Sequence, residues 1–136
     1  AAALAAMAAA ARARVCEPTA ADDLPTLLHA LVVIAGVRDE QLLLSSSRAL
    51  LQGGLLSHLS PGGLGLVVSS FAAGGVEQLL LMEAVAARAT QLADRLTRRE
   101  IAKLAEAYAS MRLYPRELFE AMAPRAATVL RRAAQK

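Results

Sequence analysis

The sequence has no tryptophan and only two tyrosines and two phenylalanines, so aromatics make up 3% of the chain although hydrophobic residues reach 56%. Alanine and leucine carry that apolar fraction. Both are strong helix formers, whereas the aromatic and β-branched residues that favour strands are scarce. A sheet protein is thereby excluded. An all-α protein is expected, its core closed by small alanine contacts rather than by large rings.

Cysteine is nearly absent too. Cys16 stands alone, which excludes an intrachain disulfide. His29 and His58 have no cysteine partner and no HExxH spacing, so no zinc site is expected. Long apolar runs are also missing. The most apolar stretches, 24–37 and 64–76, meet charges well short of the roughly 20 residues a membrane span needs. Both read as buried helices. At 136 residues the chain is one domain by length, long enough to bury a core.

Acidic residues are absent before Glu17, while Arg12 and Arg14 punctuate an alanine-rich opening, AAALAAMAAAARARVC. Acid-poor, arginine-containing leaders of this kind are typical of organellar transit peptides. The stretch reads either as the end left after processing or as an internal piece of a longer chain. Residues 1–18 are expected to form an Ala-rich N-terminal helix or extension, facing solvent or docked on a partner. No function is placed there.

What the chain does have is self-similarity. Glu-Gln-Leu-Leu-Leu occurs at 40–44 and again at 77–81, an offset of 37. The same offset places Leu59 on Leu96, Leu64 on Ile101, Val67 on Leu104, Phe71 on Tyr108, Leu81 on Leu118 and Val85 on Met122. Apolar meets apolar along a whole unit, which is the mark of a repeat architecture. The first unit is less regular. Leu24, Leu27 and Leu31 fit better at an offset near 40, on Leu64, Val67 and Phe71, which predicts about three extra residues in the turn at 35–39. The repeated word itself is read as the start of the second helix of a hairpin, with Leu44, Leu81 and Leu118 at one inward position.

Each unit reads as a helical hairpin. In the third, Thr97 and Glu100 form a capping box, and Ile101, Leu104, Tyr108 and Met111 follow at helical spacing. That helix is predicted to end near 112–114, with Pro115 in the first turn of the next. Leu118, Phe119, Met122, Ala126 and Val129 give the second helix its inner face. In the second unit Ser60-Pro61 starts the first helix and Gly74-Gly75 breaks it. Gly36 and Gly53-Gly54 serve the first unit likewise. The fold expected is a short α-solenoid of about three stacked hairpins with a 37-residue period, over residues 19–136, in units of about 19–55, 59–95 and 96–136. First helices should line one surface and second helices the other, with an apolar end exposed unless a partner covers it.

The third unit, LTRREIAKLAEAYASMRLYPRELFEAMAPRAATVL, resembles the heptatricopeptide repeats of organellar RNA-associated proteins, close in look to the octotricopeptide type. The residues that carry the resemblance are Leu96, Thr97, Glu100, Ile101, Leu104, Ala107, Tyr108 and Ala109, then Leu118, Phe119 and Met122. It is strongest over 96–130, fainter over 59–92 and weakest over 19–55. The resemblance implies a mitochondrial or plastid location, and a role in RNA metabolism or the organellar ribosome.

No catalytic constellation is present. Ser45-Ser46-Ser47 has no His/Asp set beside it, Asp22-Asp23 suits a helix start, and Gly62-Gly63-Leu64-Gly65 lacks the Lys-Ser/Thr of a phosphate loop. No enzyme activity, cofactor, metal or small-molecule substrate is expected. The net charge of +3 is unevenly spread: residues 97–136 carry a balance of +5 and residues 1–96 one of −2. A basic C-terminal third suggests an acidic partner, nucleic acid first. The candidate RNA-phosphate contacts are Arg98, Arg99 and Lys103 on a first helix, Arg112 and Arg116 flanking its turn, and the tail Arg131, Arg132 and Lys136. Interleaved Glu100, Glu106, Glu117 and Glu120 offer the competing explanation of surface ion pairs. Tyr108 and Phe71 could stack on bases, but they share one internal repeat position and are read as core.

Three functions compete at this level. The first is a non-catalytic structural subunit of an organellar ribonucleoprotein, above all the mitochondrial ribosome, docked on rRNA phosphates and neighbouring proteins. The second is an organellar RNA-binding repeat protein acting in transcript stability or processing. The third is a protein-only scaffold subunit of another organellar complex.

Overall fold

The computed structural model describes residues 3, 5–7, 9–10, 20–52, 54–76 and 78–134. Among them there is no strand. Residues 3, 5–7, 9 and 10 are helical and those six are exposed; the rest of the predicted extension, Cys16 included, lies outside the described residues. Six longer helices follow. Helix α1 is Ala20–Leu28, continued by π-helical turns over His29–Ile34. Then come α2 (Glu40–Gln52), α3 (Pro61–Gly74), α4 (Leu79–Gln91), α5 (Arg98–Ser110) and α6 (Arg116–Ala134), with short 3₁₀ segments at Leu55–His58 and Ala93–Arg95. Helix α3 packs between α1 and α5, and α4 packs between α2 and α6. No helix among the described residues is long and apolar enough to cross a membrane.

Local sequence explains where the helices start. The Ser60 hydroxyl accepts from the Gly63 amide at 3.1 Å, and Pro61 fills the first position, where its missing N–H is not needed. At α5 the capping box is complete: the Thr97 hydroxyl accepts from the Glu100 amide at 3.2 Å, and the Glu100 carboxylate accepts from the Thr97 amide at 2.9 Å. Asp39, which the sequence reading passed over, accepts from the Leu42 amide at the start of α2. Pro115 stands one residue before α6, and its carbonyl accepts from the Phe119 amide, so it caps the helix rather than opening its first turn. The Tyr114 and Phe119 rings meet edge to face at 6.2 Å and staple that entry.

Helix ends repeat. The residue closing each first helix adopts a left-handed conformation: Gly36 at φ +73, Gly75 at φ +70 and Arg112 at φ +58. Glycine takes this conformation freely, whereas a residue with a Cβ is strained by about 1–2 kcal/mol. At Arg112 the strain is held by a Schellman pair, Leu113 N–H to the Tyr108 carbonyl and Arg112 N–H to the Ala109 carbonyl, both 2.9 Å. Arg112→Gly is therefore expected to stabilise the fold by about 0.5–1 kcal/mol, once the added freedom of the unfolded chain is subtracted. Thermal unfolding would show a rise of a few degrees, about 2–5 °C. A fall would mean that the arginine side chain supplies more than its backbone costs.

These markers correct the repeat register. Gly36, Gly75 and Arg112 are 39 and 37 residues apart. The starts of α2, α4 and α6 keep the same spacings. A spacing of 37 thus relates the landmarks of α3–α4 to those of α5–α6, whereas those of α1–α2 stand 39 residues before those of α3–α4. The turn at 35–39 holds no extra residues. One residue is absorbed inside α1, where the Ala35 amide donates to the Ala30 carbonyl five residues back, and the Arg38 guanidinium donates to the freed Val32 carbonyl. The other two are taken up in the longer connection from α2 to α3, between Gln52 and Pro61.

The repeated word is consequently out of step with the helices that contain it. In α2, Leu42 and Leu43 are buried and Leu44 only half-buried. In α4, Leu81 is buried, while Leu79 and Leu80 are 55% and 74% exposed. At the 39-residue spacing of the helix starts, Leu42 and Leu43 fall on Leu81 and Met82, all four buried. A slip of two residues turns a side chain by about 200° around a helix, which carries it to the opposite face. Leu81 and Leu118 do share one inward position, both fully buried.

The core is aliphatic apart from two rings. Phe71 and Tyr108 are 1% exposed at equivalent places on α3 and α5, as expected of core residues. Leu104 is buried beside them, Ile101 and Met111 half-buried. On α6, Leu118 and Met122 are buried and Phe119 and Ala126 half-buried; the side chain of Val129 lies outside the described residues.

Candidate nucleic-acid interface

The candidate site is assembled from the three first helices. Helix α3 forms a floor of small side chains, Ser69, Ala72 and Ala73. The end of α1 forms one wall with His29 and Val33, and α5 forms the other with Arg99, Lys103 and Glu106. Together they enclose an open groove of about 610 Å³. Residues 99, 103, 106 and 110 recur at helical spacing, so one stripe of α5 faces the groove while Leu104 and Tyr108 face the core.

Close approach of α5 to α3 depends on Gly65. A Cβ at that position would stand 3.3 Å from the Lys103 Cδ, so the lysine stem lies flat across the glycine. The aliphatic part of Lys103 is thereby half-buried and its ammonium is delivered to the groove rather than left to wander in solvent.

Electrostatics in the groove are one-sided. Partial burial, and then the Lys103 ammonium, hold the His29 imidazole below its ordinary pKa of 6.5. Two fixed cations and a titratable one face a single carboxylate, Glu106. Among the described residues, neither Arg99 nor Lys103 has an ion-pair partner. Such unneutralised cations over a floor of hydroxyls and methyls can accept an anionic strand without first breaking internal pairs.

The other sequence-selected residues divide. Arg98 is exposed at the first position of α5 but does not line the groove. Arg112 and Arg116 lie at the turn between α5 and α6, and Arg116 is paired with Glu120 at 2.8 Å on the surface. Arg131 is exposed near the end of α6. The side chain of Arg132 and the whole of Lys136 lie outside the described residues. The structure therefore brings together Arg99 and Lys103, and adds His29, which sequence reading did not select.

Two further arginines prove structural. Arg125 Nε donates to the Leu96 carbonyl at 2.9 Å, and Arg88 Nη2 donates to the Ser57 carbonyl at 3.1 Å. Each ties a second helix to the connection preceding its own hairpin. Their separation of 37 residues was the available signal, since an equivalent arginine in two units points to a repeated tie. The serine run is structural as well: Ser46 donates to the Leu42 carbonyl, and Ser47 to Gln78 Oε1. The glycine run 62–65 falls in the first turn and a half of α3. Among the described residues no cluster of three metal-ligating side chains occurs. No protein-family model, curated protein or solved structure matches the chain.

Proposed function

We propose that the chain is a short α-solenoid serving as a non-catalytic structural subunit of an organellar ribonucleoprotein, with the mitochondrial ribosome the foremost case. In this reading the groove of the first helices rests on RNA phosphates and the rest of the surface meets neighbouring proteins. The observation that carries it is the pair Arg99 and Lys103, held in one groove with no ion-pair partner among the described residues. The resemblance of the third unit to organellar RNA-associated repeats supports the organellar part of this reading. Phosphate contact positions a protein without reading sequence, which suits a subunit fixed in an assembly.

Protein neighbours are favoured by a separate feature. Leu79 and Leu80 are exposed, whereas the same two places in the flanking units hold Glu40-Gln41 and Arg116-Glu117. Two leucines in water where both sister units have polar residues suit a covered contact. A protein-only scaffold would rest on this feature alone and leave the groove unused. A free-standing protein acting in transcript stability or processing would use the groove alone.

The groove reading is tested by the salt dependence of RNA binding. For a single strand the logarithm of affinity falls with the logarithm of salt by about 0.7 per neutralised phosphate. Replacing Arg99 and Lys103 together by glutamine is expected to reduce that slope by about 1.4 and to weaken binding alike for unrelated sequences. Arg116→Gln, which removes a residue already paired on the surface, should leave the slope unchanged. Fluorescence anisotropy at several salt concentrations measures this. An unaltered slope in the double variant would remove the groove from RNA binding.

A further inference from the structure

On the reading of the groove as a phosphate-docking surface, we infer that His29 is its third cation: when protonated it completes a cradle with Lys103 and Arg99 around an RNA phosphodiester, so that docking strengthens in acid.

The geometry places His29 at the first π turn of α1, on the wall opposite Lys103, with only Ser69, Ala72 and Ala73 below. Nothing bulky rises from the floor, so a strand lying in the groove meets both walls. The charged groups facing the imidazole are Lys103, Arg99 and Glu106, all from α5; α3 contributes the Ser69 hydroxyl, and α1 itself contributes Val33. In the free protein partial burial, and then the Lys103 ammonium, hold the ring below its ordinary pKa. A neutral imidazole still donates one hydrogen bond, but it adds no charge. A phosphate between the walls would screen the ring from Lys103 and supply an opposite charge at short range, which favours the protonated form. Binding and protonation then strengthen each other reciprocally.

The sign follows from this coupling. Above the ordinary histidine range the ring is neutral in free and bound protein alike, and affinity is flat. Below it, the bound state takes up a proton that the free state resists, and affinity rises. One unit of difference in pKa corresponds to at most tenfold in affinity. The expected gain for an oligouridylate, whose bases do not titrate in this range, is about three- to tenfold between about pH 7.5 and about pH 5.5.

The test uses the full chain and the oligouridylate as probe, with anisotropy at both pH values. His29→Gln should lose the acid gain, while His58→Gln, altered at an exposed residue away from the groove, should keep it. The imidazole resonance of His29, followed by NMR, should titrate at higher pH with the strand bound than without it. An acid gain that survives His29→Gln, or a His29 midpoint that the strand does not move, overturns the inference and leaves the groove reading standing. The same midpoint shift produced by inorganic phosphate at equal phosphate concentration overturns the assignment to a strand. Absence of strand binding at both pH values removes the groove reading and this inference with it.

Discussion

Tyr108→Ala should cost about 3–5 kcal/mol, the range for deleting a buried aromatic ring. Against total stabilities of about 5–15 kcal/mol that is between about a fifth and the whole. The ring is 1% exposed and occupies the contact between α5 and the α3–α4 hairpin. Its hydroxyl donates to the Met82 carbonyl at 2.7 Å, so one side chain supplies both apolar burial and a polar tie from α5 to α4. Tyr108→Phe isolates the second contribution. It keeps the ring, as Phe71 does in the preceding unit, and should cost about 1 kcal/mol. Urea denaturation of the three proteins, read as midpoints at constant slope, measures both numbers. A loss below about 1.5 kcal/mol for the alanine variant would show that the site collapses around the missing ring.

The same residue gives the fold an alkaline limit. Burial pushes the phenol well above its ordinary pKa of 10.0 in the folded chain. The unfolded chain ionises from about pH 10 upward while the folded chain stays protonated, so the folded state holds more protons there. The stability due to Tyr108 is complete below pH 10 and is lost as pH rises beyond it, at up to about 1.4 kcal/mol per pH unit. Tyr108→Phe lacks this loss. The advantage of the parent over the phenylalanine variant should therefore vanish within about one pH unit above 10. A constant difference across that window would mean that the phenol ionises equally in both states.

How much of this was legible depends on how local each signal is. Thr97 with Glu100, and Ser60 with Pro61, could be read directly, because a cap is made by residues within one turn of each other. The inward stripe of Leu104 and Tyr108 was legible for the same reason, since its period is that of the helix. The π turns of α1 were not. An extra residue in a helix is tolerated where long-range packing holds Leu31 and Val32 in place and Arg38 satisfies a freed carbonyl, and no local letter marks it. The basic stripe Arg99 and Lys103 was visible within α5, but His29 faces it only because α3 sets α1 and α5 on either side of one groove. Arg98 illustrates the limit from the other side: adjacent to Arg99 in sequence, it is rotated by about 100° and leaves the groove.

Literal identity was the most misleading signal, and a pair of substitutions exposes it. Leu43 and Leu80 are the fourth letters of the two Glu-Gln-Leu-Leu-Leu words, so a repeat read from letters predicts equal losses on truncation. The structure predicts unequal ones. Leu43 is 1% exposed, and its methyl group lies against Gly74, so close that a Cβ added there would collide with it. Leu43→Ala opens a cavity at this contact between α2 and α3 and should cost about 2–5 kcal/mol. Leu80 is 74% exposed, and Leu80→Ala should change stability by no more than about 0.5 kcal/mol. Urea midpoints of the two variants decide between the readings, and a loss above about 2 kcal/mol at Leu80 would restore the 37-residue register to the first unit. The asymmetry also shows at the surface. Once α4 begins two residues later in the word than α2, only Leu81 of its three leucines enters the core, and the other two stay exposed.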